Sequence, residues 1–146
     1  YKNMKKKPSL KVQIIVADYY KDIANSLTES ATKVLKINKI DFNVIYVPGV
    51  YEIPQSIKWN IKNNKVNLFI ALGCVIKGQT YHFEVISDSV GKALLDLVSN
   101  NPNTLISNGI INAYKKKQAL DRSKSNNKNK GEEAANAMIK MIQCLI

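Results

Sequence analysis

A three-layer α/β sandwich, with a four-stranded parallel sheet between two layers of helices, is the architecture expected of this 146-residue chain. Three observations predict it. Short β-branched runs alternate with longer segments of helical periodicity, and the runs lack the polar alternation of a sheet with one wet face. One of them, Val66 to Cys74 (VNLFIALGC), is apolar almost throughout, as a central strand covered on both faces must be. Strands that alternate with helices in this way join through right-handed crossovers, which leave helices on both faces.

Leu10 to Ala17 (LKVQIIVA) reads as the first strand, and Ile23, Leu27, Ala31, Val34 and Leu35 follow at helical spacing. Phe42 to Val47 reads as a second strand, ended by Pro48-Gly49. The helix expected over Tyr51 to Asn63 tolerates Pro54 only in its first turn, where the missing N–H has no partner to lose. After the central strand, Phe83, Ile86, Val90, Leu94 and Leu97 form one apolar stripe on a long helix. Thr104 to Ile111 supplies the fourth strand, expected to break at Asn108-Gly109. Two helices follow, near Lys115 to Ser123 and Gly131 to Leu145, the second burying Ala135, Met138, Ile139, Ile142 and Leu145. Between them SKSNNKNK, Ser123 to Lys130, reads as a polar, mobile loop.

With 45% apolar and 23% charged residues, residues 1–146 suit a single domain, residues 1–9 being a flexible basic segment. Cys74 and Cys144 form no CxxC pair and have no nearby histidine, which excludes a disulfide framework or a familiar zinc finger; both are expected reduced and buried. No apolar stretch approaches the roughly 18 residues needed to span a bilayer, and the basic start lacks the apolar stretch of a signal peptide, so a cytoplasmic protein without membrane contact is expected. The formal charge of +11 invites a nucleic-acid partner. Its distribution argues against one: outside Lys5 to Lys7 and Lys115 to Lys117 the lysines are scattered, without interleaved aromatics. Arg122 is the only arginine, hence the only planar fork for a phosphate, and His82 is the only histidine.

In a parallel sheet, ligands bind beyond the carboxyl ends of the strands, where loops enter the N-termini of helices. Gly78-Gln79-Thr80 immediately precedes the long helix, so its N–H groups and hydroxyl would converge where the helix dipole favours an anion. His82 stands beside that position, and imidazole is the side chain suited to move protons near neutral pH. Tyr19, Tyr20 and Tyr51 bring aromatic faces to the same edge, able to stack a planar heterocycle, and Glu52 adds an acceptor. Each feature also has a structural reading: a Thr cap, a surface His, rim tyrosines. No Walker loop, GxGxxG, GxSxG or HExxH occurs, which disfavours nucleotide hydrolysis, dinucleotide binding, serine hydrolysis and zinc proteolysis. A cofactor-free reaction on a small phosphorylated substrate remains.

VPGVYEIP at Val47 to Pro54, ALGCVIKGQTYHFE at Ala71 to Glu84, and QALDR followed by NKGEEAA between Gln118 and Ala135 resemble the signature segments of the lumazine synthase family. The resemblance runs in order from about Lys11 to the C-terminus. It implies a flavodoxin-like fold and, without cofactor or metal, the condensation of 5-amino-6-ribitylamino-uracil with 3,4-dihydroxy-2-butanone 4-phosphate. It further implies homopentamers with active sites between subunits. Carried over by position, Tyr19 would stack on the pyrimidine, and Val50, Tyr51 and Glu52 would hold the ring and ribityl chain. Cys74, Val75 and Ile76 would offer mainly backbone contacts to the pyrimidine. Gln79 and Thr80 would bind the phosphorylated substrate, His82 would transfer protons, and Arg122, helped by Lys130, would grip the phosphate.

The chain departs from the family pattern at Asn108, where many members carry an aromatic that covers the pyrimidine; an amide cannot replace such a lid. The alternative from another class is a flavodoxin-like module that binds a flavin or lumazine without catalysis. His82 and Arg122 discriminate, since a passive binder has no use for a proton-transfer group beside a phosphate.

Overall fold

The computed structural model describes residues 10–78, 82–124 and 129–146. Strand β1 (Lys11–Ala17) lies between β2 (Asp41–Val47) and β3 (Leu68–Ile76), and β4 (Leu105–Ala113) pairs with the far side of β3. The order is β2-β1-β3-β4, and every pair is parallel. Helices α1 (Lys21–Ile37), α2 (Ile53–Asn64), α3 (His82–Asn100), α4 (Lys116–Ser123) and α5 (Lys130–Leu145) fill the connections and the C-terminus.

Successive residues of a strand point to opposite faces, so the central strands build two cores at once. Val12, Ile14 and Val16 of β1 pack with Ile70 and Leu72 of β3 beneath Leu27 and Leu35 of α1, Ala119 of α4 and Met138 of α5. Ile15, Phe69 and Ala71 face the other way, beneath Ile57 of α2 and Val90 and Leu94 of α3. Phe69 and Ile70, neighbours in sequence, are both fully buried, one in each core. Each contributes about 1.5–3 kcal/mol of transfer free energy. This two-sided burial is why β3 has no polar alternation.

The chain steps from β1 outward to β2 and then back across β1 to β3. The connections leaving β1 and β3 therefore run in opposite directions, and their carboxyl ends open a crevice. At its rim Asp18 N–H donates to Val47 O at 3.2 Å, tying the turn after β1 to the end of β2. A 3₁₀ turn (Val50–Glu52) then delivers α2, with Pro54 in its first turn as expected.

Four sequence expectations are corrected. β4 runs unbroken through Asn108-Gly109, because Gly109 serves close packing: a Cβ there would lie 2.6 Å from Leu72 Cδ2 and 2.9 Å from Ala134 Cβ. The helix expected from Tyr51 begins at Ile53, behind the 3₁₀ turn. Leu145 is not buried with Met138 and Ile142 on α5 but 63% exposed. Cys74 is buried, but Cys144 is exposed, because it lies on the outer face of α5 with Ala137 and Met141; both are free thiols. Residues 1–9 and the centre of the expected polar loop, 125–128, lie outside the described residues. Among those described, no helix is long and apolar enough to cross a membrane.

Candidate active site

The crevice between β1 and β3 holds a cavity of about 560 Å³, lined by the turn after β1, the Gly49 to Glu52 turn, the end of β3 and the start of α3. Nine of the side chains singled out in the sequence meet there: Tyr19, Tyr20, Val50, Tyr51, Glu52, Cys74, Val75, Ile76 and His82. Each arrives for a local reason. Tyr19 sits where β1 has ended and α1 has not begun, its ring meeting that of Tyr20 edge-on at 5.0 Å and 83° and left 74% exposed. Glu52 is held by its backbone N–H, which donates to Gly49 O at 3.1 Å across the 3₁₀ turn.

Cys74, Val75 and Ile76 end the most buried strand, the first two buried and Ile76 half-buried, and all three line the cavity. Burial, and then the Asp22 carboxylate, push the Cys74 thiol up to about 12, so it stays protonated and is a poor nucleophile. Burial likewise raises the Tyr20 hydroxyl, with Cys74 and Tyr19 adding to the effect. The cavity therefore has aromatic and neutral walls, with Glu52 and the exposed His82 as its ionisable edge.

His82 opens α3, and Ile86, one turn further on, lines the same wall. The start of that helix is anchored from the side. Phe83 packs on Tyr114 with ring centroids 5.8 Å apart, Lys77 Nζ lies 3.5 Å from Glu84 Oε2 and 5.7 Å from the Tyr114 ring centre, and Lys77 N–H donates to Ala113 O at 2.9 Å. The end of β4 thus fixes the segment that presents His82. Gln79 and Thr80, expected to form the anion site in front of it, lie outside the described residues.

Arg122 and Lys130 do not join this cavity. They line a second one, of about 520 Å³, with Ile110 to Tyr114, Gln118 and Asp121, beyond the end of β4; the two cavities share no lining residue. Arg122 is exposed, while Lys130 Nζ reaches Glu133 Oε1 at 2.9 Å. That hydrogen bond, with the charge behind it, holds the Glu133 carboxyl below its ordinary range. Asn108 lines a third cavity, of about 260 Å³, with Ser107, Met138 and Met141; its Oδ1 accepts from Ile110 N–H at 2.9 Å, bending the amide back onto the outer edge of β4.

Sequence reasoning passed over Ile86 and Gln118 as site residues. Ile86 was legible as the i+4 neighbour of His82 on one helix face. Gln118, the third residue after the break at Lys115, carried a helix-start signal: its Oε1 accepts from Tyr114 N–H at 2.9 Å and Lys115 N–H at 3.1 Å.

Residues 9–145 match the family model described as 6,7-dimethyl-8-ribityllumazine synthase. Curated relatives of that name include one from Bartonella bacilliformis, 40% identical over 131 residues (88% of this chain, 86% of the relative). One from Bartonella tribocorum is 39% identical over 143 residues (97% and 92%), and one from Buchnera aphidicola is 38% identical over 138 (92% and 86%). These relatives are named as synthases, which leaves the passive-binder reading without support. On a match that spans nearly its whole length, the chain belongs to the 6,7-dimethyl-8-ribityllumazine synthase family.

Proposed function

We propose that the protein condenses 5-amino-6-ribitylamino-uracil with 3,4-dihydroxy-2-butanone 4-phosphate to give 6,7-dimethyl-8-ribityllumazine, in the synthesis of riboflavin. The observation that carries this reading is the crevice itself: a cavity with aromatic walls and with Glu52 and His82 at its edge, in a chain of this family. The 5-amino nitrogen attacks the ketone carbon, and the carbinolamine expels a first water to form an imine. Loss of a proton from the carbon chain then drives out inorganic phosphate as the C–O bond breaks. The enol that phosphate leaves behind tautomerises to a ketone, the ribityl-bearing nitrogen closes the ring on that new carbonyl, and a second water leaves. Each C–N bond forms between an amine and a carbonyl, the second carbonyl arising by tautomerisation after phosphate loss without net oxidation, so the reading requires neither metal nor redox cofactor.

In this reading Tyr19 stacks on the pyrimidine, while Val50, Tyr51 and Glu52 hold the ring and the ribityl chain. The backbone of Cys74, Val75 and Ile76 pairs with the polar edge of the heterocycle. His82 carries protons to and from the leaving water and the carbon chain. Gln79 and Thr80 bind the phosphorylated substrate, and Arg122 and Lys130 take the phosphate, the arginine through two parallel N–H donors.

We infer further that the site is completed by a neighbouring copy, in a cyclic homo-oligomer of the family's pentameric kind. Arg122 and Lys130 line a cavity separate from that of His82, which supports their serving the crevice of the next subunit. Asn108, on the unpaired edge of β4, would then approach the neighbour's pyrimidine. Exposed Met141, Leu145 and Ile146 on α5 supply apolar surface for such a ring-closing contact. Free thiols at Cys74 and Cys144 fit a reducing compartment such as the cytoplasm.

The test mixes the purified protein with both substrates and follows the fluorescent lumazine. Formation faster than the spontaneous condensation is expected; a rate equal to that background sinks the reading.

A further inference from the structure

We propose that Asn129 is a positioning residue of the phosphate site, fixing Arg122 and Lys130 relative to each other through the two ends of one buried amide. The inference rests on the reading of Arg122 as the partner of the phosphate. Asn129 is 2% exposed. Its Nδ2 donates to the carbonyl of Ser123 at 2.8 Å, the residue directly after Arg122 at the end of α4. Its Oδ1 accepts from Glu132 N–H at 2.8 Å, capping α5, whose first residue is Lys130. Two helices that carry the cations of one cavity are thus joined by a single side chain.

The side chain has to do opposite jobs at its two ends. A helix C-terminus presents carbonyls without partners and a helix N-terminus presents N–H groups without partners, and a primary amide offers its donor and its acceptor on separate atoms that reach in two directions. A carboxylate has no donor for the first, and a serine hydroxyl, a single atom on a shorter stem, does not span both. The junction is also stiff on its other sides. A Cβ on Gly131 would collide with the backbone of Leu27, so the start of α5 lies directly on α1. Ser123, itself buried, turns its hydroxyl to Leu120 O at 3.0 Å. At the far end of α4, Gln118 accepts from two backbone N–H groups. Arg122 is exposed and carries a flexible side chain, so its only rigid reference is the backbone that these amides hold. A planar fork grips a phosphate well only from a defined direction, which makes that reference a determinant of affinity.

The experiment uses Asn129→Ser and Asn129→Asp in the assembled enzyme. Both keep an oxygen to cap α5 and lose the donor to Ser123. The KM for the butanone phosphate should rise about tenfold, while the KM for the pyrimidine stays within about twofold. Both variants leave the Ser123 carbonyl without its buried donor and should melt somewhat below wild type, and Asn129→Ala, which also loses the cap, should melt lower still. Adding Arg122→Lys to Asn129→Ser should raise the phosphate KM no further than Arg122→Lys does alone. An unchanged phosphate KM in both cap-retaining variants, or an equal rise for both substrates, overturns the proposal. If Arg122→Lys itself leaves that KM unchanged, the reading of Arg122 falls and this inference with it. If Arg122→Lys raises it and the Asn129 variants do not, only the positioning role fails.

Discussion

Lys130 Nζ lies 2.9 Å from Glu133 Oε1, one turn along the helix that they share, so a cation of the Arg122 cavity is already paired before any ligand arrives. The hydrogen bond, then the charge, hold the Glu133 carboxyl below its ordinary 4.5, and Arg122 adds a smaller pull in the same direction. A depressed carboxyl stabilises the fold above its unfolded pKa and loses that contribution only as pH falls through the folded value, so the pair is intact throughout the neutral range. Being largely exposed, it adds little to stability. Glu133→Gln should therefore leave the melting temperature nearly unchanged at pH 7. It should lower the KM for the phosphorylated substrate severalfold, an effect that shrinks in high salt. Unchanged KM at low salt would mean that Lys130 takes no part in the phosphate site.

His82→Ala should cut kcat by about 100-fold or more and leave both KM values near wild type, because a positioned proton carrier acts on the barrier and the substrates retain intrinsic reactivity. Steady-state kinetics on the lumazine fluorescence separate the two parameters. A loss confined to KM would make His82 a wall of the cavity and nothing more.

If neighbouring subunits share each site, His82→Ala and Arg122→Ala can complement one another. After dissociation, mixing and reassembly, roughly a quarter of the interfaces would pair an intact His82 with an intact Arg122 across the closed ring. Activity above both parents is the expected outcome. A co-assembled mixture as inactive as either parent would show that each chain carries its own complete site.

Burial of Cys74 has a signature in alkali. Its thiol ionises near 9.0 when unexposed to the fold's influence and at about 12 in the folded chain. A raised folded pKa contributes stability that is complete below the unfolded value and is lost as pH rises from about 9 towards 12. The ionising unfolded state draws the equilibrium by up to ~1.4 kcal/mol per pH unit. Denaturant unfolding at pH 8, 9.5 and 10.5 should show wild type losing stability faster than Cys74→Ala. Parallel slopes would refute the burial effect. A thiol reagent should label the exposed Cys144 in the native protein and Cys74 only after unfolding.

Much of this molecule was legible in its sequence because local rules govern it. Ile23, Leu27, Ala31 and Leu35 recur at the period of a helix, and all four are buried on α1. VNLFIALGC lacks alternation, and β3 is covered on both faces. The signature segments around Tyr51 and His82 point to residues that line one cavity, because loops at the carboxyl ends of parallel strands share one edge of the sheet. Asn108-Gly109 misled, since the dipeptide that marks a turn also provides the smallest surface a strand can offer a helix. Nothing in sequence spacing shows that Ala134 lies over it.

Tertiary structure alone decided the order β2-β1-β3-β4, which sets the turns after β1 and β3 around one crevice, because strand order depends on which distant surfaces bury each other. It also decided that Arg122 and Lys130 gather beyond β4, apart from His82, and that the amide of Asn129 joins Ser123 to Glu132. Composition and periodicity record which face of a segment is buried. They carry no record of which side chain satisfies a particular carbonyl once separate helices are brought end to end.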